Sequence, residues 1–564
     1  MSLSHSRWNL LPLVPPQQPG INSGLSPLLV QLLYNRGIIR PEMITSFLAG
    51  DRSLADDPFL LPDMPRAVSR IYQALLSGEN IGIFGDFDAD GITATATLVQ
   101  GLSALGGKAT PYIPHRQTEG HGLTITALKN LFQKGVSLVI TVDCGITDLL
   151  QVKQAKKMGL DIIITDHHTP LPETPDAIAV VDPKLVGSGY AFTQFSGVGV
   201  AYKLIQALLQ SLGKEEHLTR LVDMVAIGTI ADMSPLVGEN RDLVKEGLKV
   251  MNAGPRPGIR ELMNQTRLNT EILDAEKISW VIAPCLNAAG RLADGLTGYN
   301  LLMTDSPEQA RELAIWLAQK NEERQRLTTT TLALAREQVI AQGLPPLLIA
   351  SDKDYLIGIA GLVASRLTEE FYRPSIVIQK GEKISHASCR SIPEFNIIDA
   401  LNRFSHLFSR YGGHAQAAGF TLPTRNLARL QEELSLLAAE QLTDIELRPR
   451  LDIDAQVTLP ELGGDTFQTT QMLAPCGVGN PVPTFISRRV EVVERRTMGN
   501  GGEHLKMKLR QGGTVWDAVG FRLGSHLSGL SAPVDIVYNL EVDRWCGKEQ
   551  LRLNILDFTA SNRS

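Results

Sequence analysis

The chain has 564 residues, 43% hydrophobic and 20% charged, with a formal net charge of −6. It is too long for one core, is composed like an ordinary soluble globular protein, and has no apolar run near the roughly 20 residues of a membrane span. Five cysteines without CxxC spacing indicate neither a zinc ribbon nor a disulfide framework, and Met1–Trp8 has no signal-peptide pattern, so a reducing cytoplasm is expected.

Residues 1–60 read as an N-terminal helical, loop-rich region, interrupted at Pro15-Pro16 and Pro19-Gly20. From Ile81 the pattern changes. Ile81–Phe84, Leu138–Val142 and Ile162–Thr165 are short apolar runs of the kind buried on both faces of a sheet. Amphipathic segments at 92–105, 124–134 and 147–158 separate or follow them, and strand–helix alternation predicts a doubly wound α/β domain over 61–240. Helical stretches at 199–211 and 217–231 lead to Asp232. Residues 241–340 read as a polar, helical connector. A second, smaller α/β unit is expected over 341–448, with strands near Leu347–Ala350 and Pro374–Ile378 and a helix over 428–442. Residues 449–564 carry five strand-like runs separated by Gly-rich turns, which suggest a small β-barrel of OB type.

The chemistry gathers where strands end. Asp86-Phe87-Asp88-Ala89-Asp90-Gly91, Asp143-Cys144-Gly145 and Asp166-His167-His168 each follow an apolar run, and Asp232 follows a helix. A single Asp after a strand is most simply a helix N-cap. Three strands that deliver carboxylate or imidazole at one sheet edge point instead to a site for Mn²⁺ or Mg²⁺. An EF-hand is the poorer reading: its twelfth position is Thr97, not Glu, and an apolar strand precedes it. The net acidity does not exclude a nucleic-acid enzyme, since a metal cluster needs local acid and a groove only local base.

These segments resemble the DHH phosphoesterase superfamily, with Gly228-Thr229-Ile230-Ala231-Asp232 as its fourth motif. Leu286-Asn287-Ala288-Ala289-Gly290-Arg291, Gly412–Gly419 and Leu473–Pro481 resemble the RecJ family of exonucleases, including its DHHA1 domain and the segment before its OB-fold. The resemblance runs through nearly the whole chain in order. It implies that Asp88, Asp90, Asp143, His167 and Asp232 are metal ligands, with Asp143 bridging two ions. It implies that His168 contacts the scissile phosphate or leaving oxygen, and Asp86 supports the cluster. Arg116, Arg291, Ser388, Arg390, Gly412, Gly413 and His414 would hold substrate phosphates, the 5′-terminal one among them. In the barrel, Arg488, Arg489, Arg495, Arg496, Lys506, Lys508 and Trp516 are candidates to track a single strand, although a scattered solvated surface explains them equally well.

The chain departs from the family in the phosphate-holding half. Tyr355-Leu356 stands where Trp-His is common, Cys285 where a basic residue is usual, and His121 where an aromatic is common. His386-Ala387-Ser388-Cys389-Arg390 departs from the common Gly-Ser-x-Arg pattern. The implied activity is two-metal hydrolysis of single-stranded DNA from the 5′ end to 5′-mononucleotides, in repair and recombination. A helicase and a single-strand-binding protein are the implied partners. Two alternatives stand beside it: a phosphodiesterase of short oligoribonucleotides or cyclic dinucleotides, and a non-catalytic replisome scaffold. The first lacks the C-terminal barrel, and the second is opposed by the filled ligand positions.

Overall fold

The computed structural model describes residues 6–15, 24–50, 56–116, 118–268, 272–499, 501–530, 533–543 and 550–561; Pro16, Pro19 and Gly20 lie outside them. The chain forms two compact units. One comprises Asp56–Ser234 and Leu243–Leu447, the other Met1–Ala55, Pro235–Asp242 and Arg448–Ser564.

The first unit is built on a five-stranded, wholly parallel sheet. Its strands are β1 (Asn80–Gly85), β2 (Lys108–Tyr112), β3 (Val136–Val142), β4 (Asp161–Thr165) and β5 (Ala179–Val181), in the order β2-β1-β3-β4-β5. Ile81, Ile83, Val139, Ile140 and Ile162–Ile164 are buried, as a sheet covered by helices on both faces requires. The edge strands β2 and β5 were not expected from sequence. Lys108–Tyr112 contains Pro111, which an edge tolerates because no donor is needed on its open side, and only three residues of β5 pair.

Helix α1 (Ala89–Ala104) begins three residues before the 92–105 segment read from the sequence, because Asp88 itself is the N-cap. Helices α2 (Gly197–Gln210) and α3 (Val222–Ala231) pack against α1. A helical stretch that includes α4 (Ala283–Leu292) leads into the 35-residue α5 (Pro307–Ala341). Beyond it lies a mixed sheet of β6 (Leu348–Asp352), β7 (Ser375–Gln379), β8 (Ile384–Arg390), β9 (Arg410–His414) and β10 (Ala417–Pro423), in the order β9-β10-β8-β7-β6. Helix α6 (Ile357–Phe371) connects β6 to β7. Gly412-Gly413-His414, which alone could be a simple turn, lies in the exposed edge strand β9.

The second unit contains the barrel. Strands β11 (Phe485–Met498), β12 (His504–Gln511), β13 (Thr514–Gly520), β14 (Val534–Asp543) and β15 (Gln550–Ala560) run β11-β12-β13-β15-β14, and a β14–β11 pairing closes them. The N-terminal helices Pro27–Asn35 and Pro41–Ala49 place Leu29, Leu32, Leu33 and Phe47 in the same apolar cluster as Phe485, Tyr538 and Phe558. Helices this short cannot bury an apolar face alone, so they take shelter against the barrel unit. The Leu473–Pro481 segment is a structural junction within this unit. Arg241, 1% exposed, lies over the Phe47 ring at 3.8 Å and donates to the carbonyls of Leu473 (2.8 Å), Ala474 (2.8 Å) and Pro475 (3.1 Å). Asn480 Nδ2 donates to the carbonyls of Leu473 and Pro475, both at 2.8 Å. Among the described residues no helix is long and apolar enough to cross a membrane.

Candidate metal centre and phosphate-binding cluster

Because every strand of the first sheet points the same way, the segments after β1, β3 and β4 emerge at one edge. The order reverses between β1 and β3, and a crevice forms there. Asp86, Asp88 and Asp90 follow β1, Asp143 follows β3, and Asp166-His167-His168 follows β4. Asp232 ends α3 at the same place.

Each side chain is held by local structure. Asp88 Oδ1 accepts from the Asp90 and Gly91 amides at 3.0 and 3.1 Å, leaving Oδ2 for another partner. Ala89 N–H donates to Asn287 Oδ1 at 2.8 Å, so the Asn287–Arg291 segment is tied to the start of α1. Asp90 accepts from the Gly197 and Val198 amides at 2.7 and 2.9 Å, the positive end of α2. Asp143 adopts a left-handed φ of 60°, uncommon for a residue with a side chain and often seen at functional sites.

Carboxylate and imidazole atoms converge here. His167 Nε2 lies 3.0 Å from Asp143 Oδ1 and 4.0 Å from Asp90 Oδ2, and its Nδ1 lies 3.9 Å from Asp232 Oδ2. Ligand atoms of Asp86, Asp88 and Asp143 also lie within 4.8 Å of one another. Burial pushes the Asp90 and Asp143 carboxyls far up, and the crowding of Asp88, Asp143 and Asp232 adds to it. Asp86 Oδ1 is buried without a hydrogen-bond partner. Crowded oxygen donors with an imidazole fit a pair of divalent cations, which would relieve the repulsion.

His168 is held differently. Asp166 Oδ1 accepts from the His167 amide (2.7 Å), the His168 amide (3.1 Å) and His168 Nδ1 (2.8 Å), and its Oδ2 accepts from the Ile146 amide (2.9 Å). Burial alone would raise the Asp166 carboxyl, but the His168 hydrogen bond and charge draw it to about 2. Against its own burial, the same bond lifts the His168 imidazole to about 9. The bond holds the ring by Nδ1 and leaves Nε2 unengaged by Asp166. The sequence shows Asp166 only as part of a motif; its hold on His167 and His168 is a local turn, and the Ile146 amide from the β3 end adds the one distant contact.

A cluster of guanidiniums lies beside this centre. Arg116 sits over the Phe87 ring at 4.9 Å and feels Asp86 and Asp88. Arg291 Nη1 donates to the Gly358 carbonyl at 3.2 Å, and Arg390 Nη1 to the Cys389 carbonyl at 2.8 Å. Burial, then the neighbouring Arg116 and Arg324, bring Arg291 down to about 10. No carboxylate pairs with Arg116, Arg291 or Arg390 among the described residues. Gly290 and Gly361 allow the approach: a Cβ on Gly290 would meet the Phe87 carbonyl at 2.2 Å, and one on Gly361 would meet Ser388 Oγ at 3.0 Å and an Arg390 Nη at 3.1 Å. Register aligns Arg390 with Ala417 and Ala417 with His414, and Ser388 with Gly419 and Gly419 with Gly412. Paired residues share a face, so Ser388, Arg390, Gly412 and His414 line one face with small residues between them.

Arg324 of α5 was missed from the sequence, where it is one of several charges in Asn321–Arg326. The family departures have definite places. Tyr355 packs in the core beside α6 while Leu356 is exposed, Cys285 is buried, and His121 Nδ1 meets Asp86 Oδ2 at 2.9 Å. The exposed His386 meets Thr421 Oγ1 at 3.1 Å. In the barrel, Arg488 pairs with Asp535 at 2.8 Å and Lys508 with Glu494 at 3.3 Å. Trp516 packs against the barrel core and donates to the Leu459 carbonyl at 3.1 Å, so it is not the open stacking ring the sequence suggested. Arg496 stands opposite Lys506, an exposed pair of like charge.

The sheet and its cluster of acids define a DHH phosphoesterase: residues 80–229 match the DHH family N-terminal domain, and residues 344–440 match the DHHA1 domain. Residues 453–557 match the RecJ OB domain. The chain is 35% identical to the single-stranded-DNA-specific exonuclease RecJ of Bacillus subtilis, over 100% of this chain and 72% of that protein. It is 33% identical to the protein of the same name from Dickeya dadantii, over 96% and 97% respectively. The crystal structure of RecJ in complex with Mn²⁺ from Thermus thermophilus superposes with a TM-score of 0.85 at 29% identity, over 99% of this chain and 80% of that one. This chain belongs to the RecJ family.

Proposed function

We propose that this chain is a metal-dependent exonuclease that degrades single-stranded DNA from the 5′ end to 5′-mononucleotides, in DNA repair and recombination. One juxtaposition supports the reading above all: a carboxylate–imidazole cluster beside guanidiniums that lack carboxylate partners. The relatives' name, single-stranded-DNA-specific exonuclease, supports the substrate.

Asp88, Asp90, Asp143, His167 and Asp232 would hold two ions, Mn²⁺ or Mg²⁺, with Asp143 shared, and Asp86 supports them from behind. When bound, such a pair activates water and neutralises charge at the scissile phosphate. His168 donates a hydrogen bond from Nε2 to a phosphoryl or leaving oxygen, and Asp166 holds the ring for it. Arg116, Arg291, Ser388, Arg390, Gly412, Gly413 and His414 bind the strand's phosphates, the terminal one included; guanidiniums suit phosphate by their forked geometry. Catalysis falls to residues 61–240, substrate holding to 341–448 and strand tracking to the barrel of 449–564, with 1–60 and 241–340 as supporting helical regions. A helicase and a single-strand-binding protein in the cytoplasm are the partners this activity needs.

The test is hydrolysis by the purified protein in Mn²⁺, with 5′-labelled single-stranded DNA, blunt duplex and dinucleotides. Labelled mononucleotide should appear from the single strand and the duplex should resist. Cleavage of dinucleotides alone would replace this reading with the small-substrate phosphodiesterase.

A further inference from the structure

Helix α5 carries a cation that no contact within the protein explains. Arg324 is partly buried, and its Nε is fully buried without a hydrogen-bond partner. Among the described residues it has no ion pair. One helical turn earlier, Asn321 is 8% exposed, and its Oδ1 is likewise buried and unpartnered. Residues three apart share a helix face, so two unsatisfied polar groups lie together. They face α4: Arg324 and Asn321 both act on the thiol of Cys285, which burial pushes up to about 12 and so keeps neutral. The charge at this spot comes from α5, since α4 presents only the buried Cys285 thiol.

A guanidinium partly withdrawn from water with no counter-charge is costly and persists where an anion arrives to meet it. Arg324 is electrostatically close to Arg291. Helix α5 packs along α4, which carries Arg291 in its last turn, so Arg324 and Arg291 belong to one helical layer, whereas Ser388 and Arg390 stand on strand β8.

We propose that Arg324 is a further substrate-binding residue, which takes an internal backbone phosphate of the single strand while the Ser388–Arg390 face takes the terminal one. This rests on the proposed function and extends it by one phosphate along the strand. Arg291 lies between the two positions and links them.

The experiment is a binding scan with the full-length protein in EDTA, so that the strand is not cut. The probes are short 5′-phosphorylated oligothymidylates in which one linkage at a time is a neutral methylphosphonate, and a 5′-hydroxyl counterpart. Arg324→Gln should bind about tenfold more weakly, as expected for a lost charge-assisted contact. The slope of log K against log salt should fall in magnitude by about 0.7, one phosphate's share. The variant should stop responding to neutralisation at one internal linkage, yet keep the wild-type preference between the two ends. Unchanged affinity and slope would overturn the proposal. So would weakened binding in which every linkage still responds, since that marks an indirect, structural effect. If Arg324→Gln fails to fold, Arg324→Lys is read in the same scan. A diminished response at one internal linkage supports the proposal, and a wild-type profile overturns it. Failure of the wild-type protein to bind single strands would bring down the proposed function itself; wild-type binding with an unaltered variant brings down this inference alone.

Discussion

Gly197 offers a sharp test of the metal centre, because it contacts Asp143 without being a ligand. It is the first residue of α2, and its amide holds Asp90. A methyl group added there would lie 2.4 Å from Asp143 Cβ and 2.7 Å from its Cγ and Oδ1. Ordinary carbon–carbon contact is about 3.5–4.0 Å, so Gly197→Ala must displace Asp143 by roughly 1 Å. Asp143 is 4% exposed and already sits at a left-handed φ, which leaves it little room to adjust in place. A misplacement of this size costs about 10²-fold in rate when it falls on the reacting groups. The added methyl should cost the fold only about 1–3 kcal/mol, the usual range for overpacking. The variant should therefore fold, with its thermal midpoint lowered by a few degrees, and bind single-stranded DNA normally. Its kcat in Mn²⁺ should fall about 100-fold, by release of labelled mononucleotide. Retention of more than about a third of the wild-type kcat would refute the claim that Asp143's position sets the site.

Asp143→Ala should abolish hydrolysis and leave strand binding largely intact; more than a few per cent residual activity in Mn²⁺ would remove Asp143 from the site. Arg390→Ala should raise KM on single-stranded DNA, corresponding to about 1.5–3 kcal/mol for a charge-assisted contact, and should erase any preference for 5′-phosphorylated ends. An unchanged KM and end preference would return Arg390 to a role within the protein. Arg241→Met keeps the stem over Phe47 but takes away the donor to the Ala474 carbonyl and leaves the Leu473 and Pro475 carbonyls to Asn480 alone. Unfolding in denaturant should show a loss of about 1–3 kcal/mol, and a loss below about 0.5 kcal/mol would mean water replaces the guanidinium at little cost.

Much of the fold was legible in the sequence because its strongest signals are local. Continuous β-branched runs marked β3 and β4, and the acidic turns after them marked the sheet edge. The edge strands β2 and β5 carried no such signal: β2 is only partly buried and contains Pro111, and β5, though buried, is only three residues long. The candidate ligands could be named because each sits in a short segment after a strand or helix. The groups that orient them could not. Asp90 is held by amides more than a hundred residues away, and Asn287 reaches Ala89 from α4. Arg324 illustrates the same limit: in sequence it is one charge in a polar helix, and only packing against Cys285 leaves it without a counter-ion. Trp516 errs the other way, since composition cannot distinguish a ring open to solvent from one packed into a barrel wall.

The second unit is assembled from three separated pieces of chain, and this governs the order in which a ribosome can complete it. Leu29, Leu32, Leu33 and Phe47 are synthesised first, yet the strands that cover them begin only at Phe485. A nascent chain must carry that apolar surface through the whole synthesis of the sheet-and-helix unit, a natural target for a chaperone. The same arrangement dictates how the protein can be shortened. Deleting the barrel alone would leave the N-terminal helices uncovered and prone to aggregate. A soluble catalytic fragment should begin near Asp56, and it should replace the apolar residues of Pro235–Asp242 that the barrel unit would otherwise hold.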